Sequence, residues 1–233
     1  MTPNMNALAA HSGIVLCVCI NLPAAPAATI DMVMGGFVID EDPKDGVPDA
    51  VIAGPPVATT IIEVANDLDT PVNIFEDEER GVVEFDISGF TFPIASANIT
   101  LRHFRTTLFP STVTNYEVFG YAGNGTVDLA DYSAGALAAS FQRTGTGLGA
   151  PMALDVTAAV NSALGSSANF VGFNIRQIEE RSDGDAEFSR FGVPVLGHEH
   201  PVLMIVAVPE PSALGAFVGL GVLILRYRFK GCS

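Results

Sequence analysis

Apolar and polar residues alternate with a period of two along much of this chain. Between positions 82 and 87, Val83, Phe85 and Ile87 alternate with Glu84 and Asp86. Between 97 and 104, Ile99, Leu101 and His103 alternate with Asn98, Thr100 and Arg102. Successive side chains on a strand point to opposite faces, so such segments bury one face and wet the other, as antiparallel sheets do. The pattern predicts strands at Thr59–Val64, Val72–Phe75, Val82–Ile87, Ala97–Phe104, Tyr116–Tyr121, Thr126–Leu129, Ala138–Gln142, Met152–Val156, Phe170–Ile178, Ala186–Phe191 and Val202–Val208. Gly, Pro, Asn and Asp separate them at short spacing, which predicts an all-β antiparallel sandwich. Asn124-Gly125 predicts a type I′ hairpin turn between two of the strands. Only Thr157–Leu164 reads as helix, with Asp155 or Thr157 as its cap, Val160 and Leu164 on one face, and Gly165 as its stop.

The two ends follow neither period. Gly13–Leu22 is an apolar run too short to span a bilayer and of the right length for a signal-peptide core. Ala25-Pro26-Ala27 offers a small-residue cleavage site, so residues 1–27 are expected to be a leader, although no Lys or Arg precedes Lys44. At the other end, residues 209–233 hold Pro209-Glu210-Pro211, an uncharged run over 212–225, and a basic cluster of Arg226, Arg228 and Lys230. The apolar run can hold its amides in hydrocarbon only as a transmembrane helix. Its fourteen residues give roughly 21 Å, which snorkelling basic side chains extend. The positive charge points the end to the cytoplasm. This order of motif, apolar run and basic cluster resembles the PEP-CTERM sorting signal of Gram-negative envelope proteins. The resemblance implies export, transient inner-membrane retention, and an exosortase-type membrane protease as partner, leaving the protein in the cell envelope or outside the cell.

Removing both ends changes the composition. Cys17 and Cys19 fall in the leader and Cys232 in the tail, so residues 28–208 contain neither disulfide nor thiolate. Of the 26 acidic residues only Glu210, and of the 11 basic ones only Arg226, Arg228 and Lys230, lie in the tail. The body therefore holds 25 acids against 8 bases, a net charge of −17. That balance excludes nucleic acid and anionic membrane surfaces as partners, since phosphates repel it. It suits solubility and divalent cations.

Within the body, five segments occur in a known order. Arg80-Gly81 leads to Phe85-Asp86-Ile87, and Ile99-Thr100-Leu101-Arg102 follows. Asp155-Val156-Thr157 with Val160, Gly172-Phe173-Asn174-Ile175-Arg176 and Phe188-Ser189-Arg190 complete the series. Over about residues 80–206 this order resembles DNRLRE-type domains, relatives of a β-jelly-roll carbohydrate-binding module. The resemblance implies a jelly-roll body and polysaccharide as a candidate ligand. The chain has no Trp, so sugar stacking would fall to Tyr116, Tyr121 or Tyr132.

Candidate chemistry is sparse. Asp40, Asp42, Asp45 and Asp49 surround a glycine turn with alternating carboxylates, the donor type calcium needs. His198 and His200, with His103 as a third ligand, offer a transition-metal alternative. Thr144–Gly149 reads as a glycine-rich loop without the spacing or lysine of a phosphate site. Arg176 and Arg190 flank an acidic loop (Glu179, Glu180, Asp183, Asp185) and are expected to pair with it. Asp86 and Asp155 are expected to accept backbone amides of the turns beside them. There is no catalytic cysteine and no nucleophile elbow, and no cofactor is implied. The reading is therefore a non-catalytic surface or matrix protein. The competing reading is a secreted polysaccharide hydrolase or lyase, which needs only two carboxylates at the right distance.

Overall fold

A computed structural model of the chain describes residues 26–41, 44–56, 61–66, 77–106, 113–144, 147–148, 150–178, 188–191 and 200–208. Residues 1–25 of the expected leader, the tail, the strand expected at Val72–Phe75, the acidic loop after Arg176, Asp42 and His198 lie outside those residues. Among the described residues there are thirteen strands and one α-helix, and the strand pairs are antiparallel. The strands are β1 (Ala27–Asp40), β2 (Ala50–Gly54), β3 (Ile62–Asn66), β4 (Glu78–Asp86), β5 (Ile94–Leu101), β6 (His103–Thr106) and β7 (Val113–Gly123). They continue with β8 (Ala136–Thr144), β9 (Gly147–Leu148), β10 (Met152–Asp155), β11 (Phe170–Gln177), β12 (Phe188–Phe191) and β13 (Val202–Ala207); the helix α1 is Thr157–Gly165.

One layer runs β2-β1-β4-β11-β7-β8. Facing it are two smaller ladders, β10-β5-β13-β1 and β9-β6-β12-β3. β3 also pairs with β4, at Ala65 and Asn66, and β1 likewise belongs to both layers. Residues 27–31 pair with β13, and after a register shift between Met32 and Met34 the strand pairs with β2 and β4. The space between the layers is filled by Val83, Phe85, Val171, Phe173 and Ile175 from one side and Ile62, Val64, Ile99, Leu101, Leu203 and Ile205 from the other. Each fully buried side chain of this kind contributes roughly 1.5–3 kcal/mol. Phe85 meets Phe173 edge-on at 6.1 Å, and Tyr116 stacks on Phe141 at 4.9 Å. Such ring pairs add roughly 0.5–1.5 kcal/mol each.

α1 closes one end, burying Val160 and Ala163 against this core. Asn161 fixes it to β5 by accepting from the Ile94 amide (2.9 Å) and donating to the Ile94 carbonyl. The expected helix is present, but its start differs in detail. Val156 occupies the cap position, and Asp155 acts from one residue earlier by accepting both the amide and the hydroxyl of Thr157. Its carboxyl lies below the ordinary value because of those bonds. Asp86 does the same for the Ser88 amide at 2.9 Å, as its position predicted. Gly165 is the last helical residue rather than the stop; Ser167, at φ 61°, turns the chain.

Three expectations are corrected. The strand predicted over 97–104 is broken at Arg102 into β5 and β6. Thr126–Leu129 is not a strand: Asp128 caps a 3-10 helix at Leu129–Tyr132. Asn124-Gly125 is therefore not a hairpin of type I′, which needs positive φ at both residues; Gly125 has φ 87°, and among the described non-glycine residues only Ser167 is positive. Gly147-Leu148, inside the expected glycine loop, forms a short rung with β6.

Candidate functional site

The outward face of the six-stranded layer carries two different environments. Over β4, β11 and β7 it is roofed by the connector 124–135. Over β7 and β8 it is open.

The roofed part depends on Gly172. A Cβ there would stand 2.1 Å from the Tyr121 ring carbon Cζ, so the ring lies directly across the glycine. This carries Tyr121 from β7 toward Glu84 on β4, the strand on the far side of β11. Glu84 has no exposed surface. Its carboxylate accepts the amides of Asn124 (3.3 Å) and Gly125. Burial pushes it above the ordinary glutamate range, and the Gly125 amide works against that shift. Asp131, 5% exposed, is raised likewise by burial and opposed by the Asp128 amide, from which it accepts at 2.8 Å. The Tyr121 hydroxyl lies beside both carboxylates, and burial with those two charges raises it too.

A second polar group continues this one toward β1. The Tyr132 hydroxyl is shared between Asp40 Oδ2 and Glu78 Oε2, each at 3.0 Å. The Arg80 guanidinium lies 3.8 Å over the Tyr132 ring and pairs with Glu78 at 2.6 Å. Asn174 Nδ2 donates to the carbonyls of Asp131 and Tyr132, anchoring the connector to β11.

Of the four candidate calcium ligands, Asp40 is fully buried and accepts the amides of Asp45 (3.3 Å) and Gly46 (2.8 Å). Asp45 accepts the Val47 amide and Asp49 the Glu41 amide, each at 2.9 Å. The aspartates thus fold the loop about themselves. Among the described residues no three His, Cys, Asp or Glu side chains are grouped to hold a metal. His103 sits in the core between Tyr116 and Phe191, at ring distances of 5.7 and 5.2 Å.

The open part is a shallow groove of about 380 Å³ lined by Asn115, Glu117, Leu137, Ser140, Gln142 and Ile178, with Tyr116 and Phe141 beneath. Leu137 is 57% and Ile178 48% exposed. On its β11 side Arg176 donates to Glu117 at 2.5–2.9 Å, and its guanidinium lies 4.7 Å from the Phe119 ring centre. Arg176 therefore pairs across the strands with Glu117, its register partner, and Arg190 pairs with Glu63 on β3 at 2.9 Å. The tyrosines expected to stack on sugar do not line an open face. Tyr116 and Tyr132 are buried, and Tyr121 lies across Gly172 under the connector.

Glu84, Asp131 and the groove residues Asn115, Glu117, Ser140 and Gln142 were not singled out by sequence reasoning. The spacing Asp128-x-x-Asp131 carries a signal, since a carboxylate three residues after a cap can reach back to its amide. The groove residues are polar positions of alternating strands and give no signal beyond a wetted face.

No family model matches the chain, and no curated protein does. Among solved structures the chain is similar to a xylan-binding module, CBM15, at 11% identity, covering 80% of this chain and 99% of that one with a TM-score of 0.34. At that TM-score the likeness carries nothing about ligand or site.

Proposed function

We propose that the chain is an exported, non-catalytic surface or matrix protein whose jelly-roll body binds polysaccharide in the open groove on β7 and β8. The observation that carries this reading is the groove's chemistry. Apolar Leu137 and Ile178 alternate with the amides of Asn115 and Gln142 and the hydroxyl of Ser140, on a sheet rigidly backed by the core. Sugars present apolar C–H faces and a rim of hydroxyls, and such a surface meets both. The competing hydrolase needs two carboxylates that reach a substrate. Among the described residues two pairs converge: Glu84 with Asp131, buried and held by amides of their own connector, and Asp40 with Glu78, which meet on the Tyr132 hydroxyl and are held by the Asp45 and Gly46 amides and by Arg80.

Binding is tested by an array of polysaccharides with the full chain. Gln142→Ala and Leu137→Asp should each weaken binding roughly tenfold, about the loss of one good contact. No binding to any polymer, or reducing-end release that disappears with one carboxylate, overturns the reading.

Export and sorting rest on the leader and on Pro209, Glu210, Pro211, Arg226, Arg228 and Lys230. Removing the three basic residues should leave the precursor in the native host either unprocessed or released without retention. A mature protein that still carries residues 212–225, identified by mass spectrometry, would make the tail a permanent anchor instead. Calcium at Asp40, Asp42, Asp45 and Asp49 has its own check. A ligand bound only by the folded chain raises Tm, and the rise should vanish in Asp45→Ala.

A further inference from the structure

We infer that the polysaccharide taken by the β7–β8 groove is an uncharged one; this rests on the binding proposed above and narrows it to a class. The body carries −17, so any polyanion approaches against a repulsive field. A polyanion-binding groove offsets such a field with cations aimed into it. Among the described residues the cation on the groove's flank is Arg176, and it is already matched: two of its nitrogens donate to Glu117, and its face rests on Phe119. Arg143 on β8 stands opposite Thr114, which is buried, and donates to the Ala150 carbonyl at 3.4 Å rather than to the groove. The remaining polar lining is amide and hydroxyl, which recognise hydroxyls without regard to charge. Asn115, Glu117 and Phe119 fall on one face of β7, so the platform runs roughly 13 Å along the strand by the usual rise. An extended chain laid along β7 and β8 would meet alternate apolar and polar positions.

Glu117 is thus the residue that keeps the groove neutral. The test is gel retardation of the full chain in neutral polymers (mixed-linkage glucan, glucomannan, dextran) and in anionic ones (polygalacturonate, alginate). It is run at roughly 0.01 M salt, where charge effects reach furthest. The expected result is retardation by at least one neutral polymer and none by the anionic ones. Glu117→Gln, which frees the Arg176 charge, should gain retardation by an anionic polymer, and added salt should erase that gain. Wild-type retardation by anionic polymers alone overturns the inference while binding itself stands. So does a Glu117→Gln chain that gains nothing while a Gln142→Ala chain loses neutral binding. Retardation by no polymer overturns the binding proposal and the inference with it.

Discussion

Replacing Gly172 with valine should lower the melting temperature by roughly 6–12 °C. The first atom of the new side chain would fall 2.1 Å from Tyr121 Cζ and 2.5 Å from its hydroxyl oxygen. Neither distance is tolerable, and Gly172 cannot retreat because β4 and β7 hold it on both sides. The Tyr121 ring must leave, and the Glu84 and Asp131 carboxylates lose the hydroxyl and the cover above them. Overpacking costs about 1–3 kcal/mol and an exposed gap in a buried polar group a similar amount, so about 3 kcal/mol is expected. For a domain of this size each kcal/mol moves Tm by about 2–4 °C. Gly165→Ala is the control, since its Cβ would meet nothing closer than Phe92 at 4.0 Å, and it should be close to neutral. The mechanism has its own check in a double-mutant cycle. Tyr121→Ala makes room for the valine, so the two losses should sum to clearly more than the double variant shows. Strict additivity would mean the ring is not what the valine displaces.

The alternation that revealed β4 was a correct guide to direction and a poor guide to burial. Val83, Phe85 and Ile87 face the core, as the pattern required, yet Val82 and Glu84 on the opposite face are equally buried. Period two says which side a residue faces. It does not say whether a connector far along the chain comes back to cover that side. β1 was missed for a related reason. Gly35-Gly36 interrupts its middle with residues that strands disfavour, and its first residue, Ala27, fell within the expected leader of residues 1–27. In the structure Gly36 lies in the ladder because β2 approaches too closely for a side chain; a Cβ would sit 2.1 Å from the Ile52 carbonyl oxygen. A close backbone approach and a turn both demand glycine, and the sequence alone does not separate them.

The same limit applied to the sites. Arg176 and Arg190 were rightly read as ion-pair residues, and the acidic loop named as their partner lies outside the described residues. Register places Glu117 opposite Arg176 and Glu63 opposite Arg190, and register is a property of paired strands rather than of either one. Tyr116 and Tyr121 differ by five positions, so on one strand they face opposite ways. Tyr116 enters the core and touches Ser189, while Tyr121 crosses the outer face. Neither outcome follows from tyrosine as a residue type. The amide of Asn124 and that of Gly125 serve a buried carboxylate forty positions earlier, so the turn signal there was real and its geometry was set elsewhere.

The chain should be more stable in mild acid than at neutral pH. Glu84 and Asp131 are both raised from their ordinary values of 4.5 and 3.8, chiefly by burial, and so are Glu63 and Asp77. A carboxyl raised on folding binds its proton more tightly in the folded chain than in the unfolded one. Between the ordinary and the raised value unfolding therefore releases protons, and stability falls as pH climbs through that window. The contribution is fully present below the ordinary values and gone above the raised ones. Repulsion within a body of −17 grows with pH and acts in the same direction. Asp86 and Asp155, lowered by their turn hydrogen bonds, act oppositely, and stability they supply is lost as pH falls below 3.8. Together these shifts place the optimum in mild acid, with Tm at about pH 5 above that at about pH 8. Scanning calorimetry across that range measures it. Glu84→Gln keeps the shape of the side chain and removes its titration, so its Tm should change less between the two ends, and adding Asp131→Asn should flatten the slope further. A wild-type Tm that climbs from the acid to the neutral end, or a slope that the double variant leaves unchanged, would mean that burial under the connector does not raise these two carboxyls on folding.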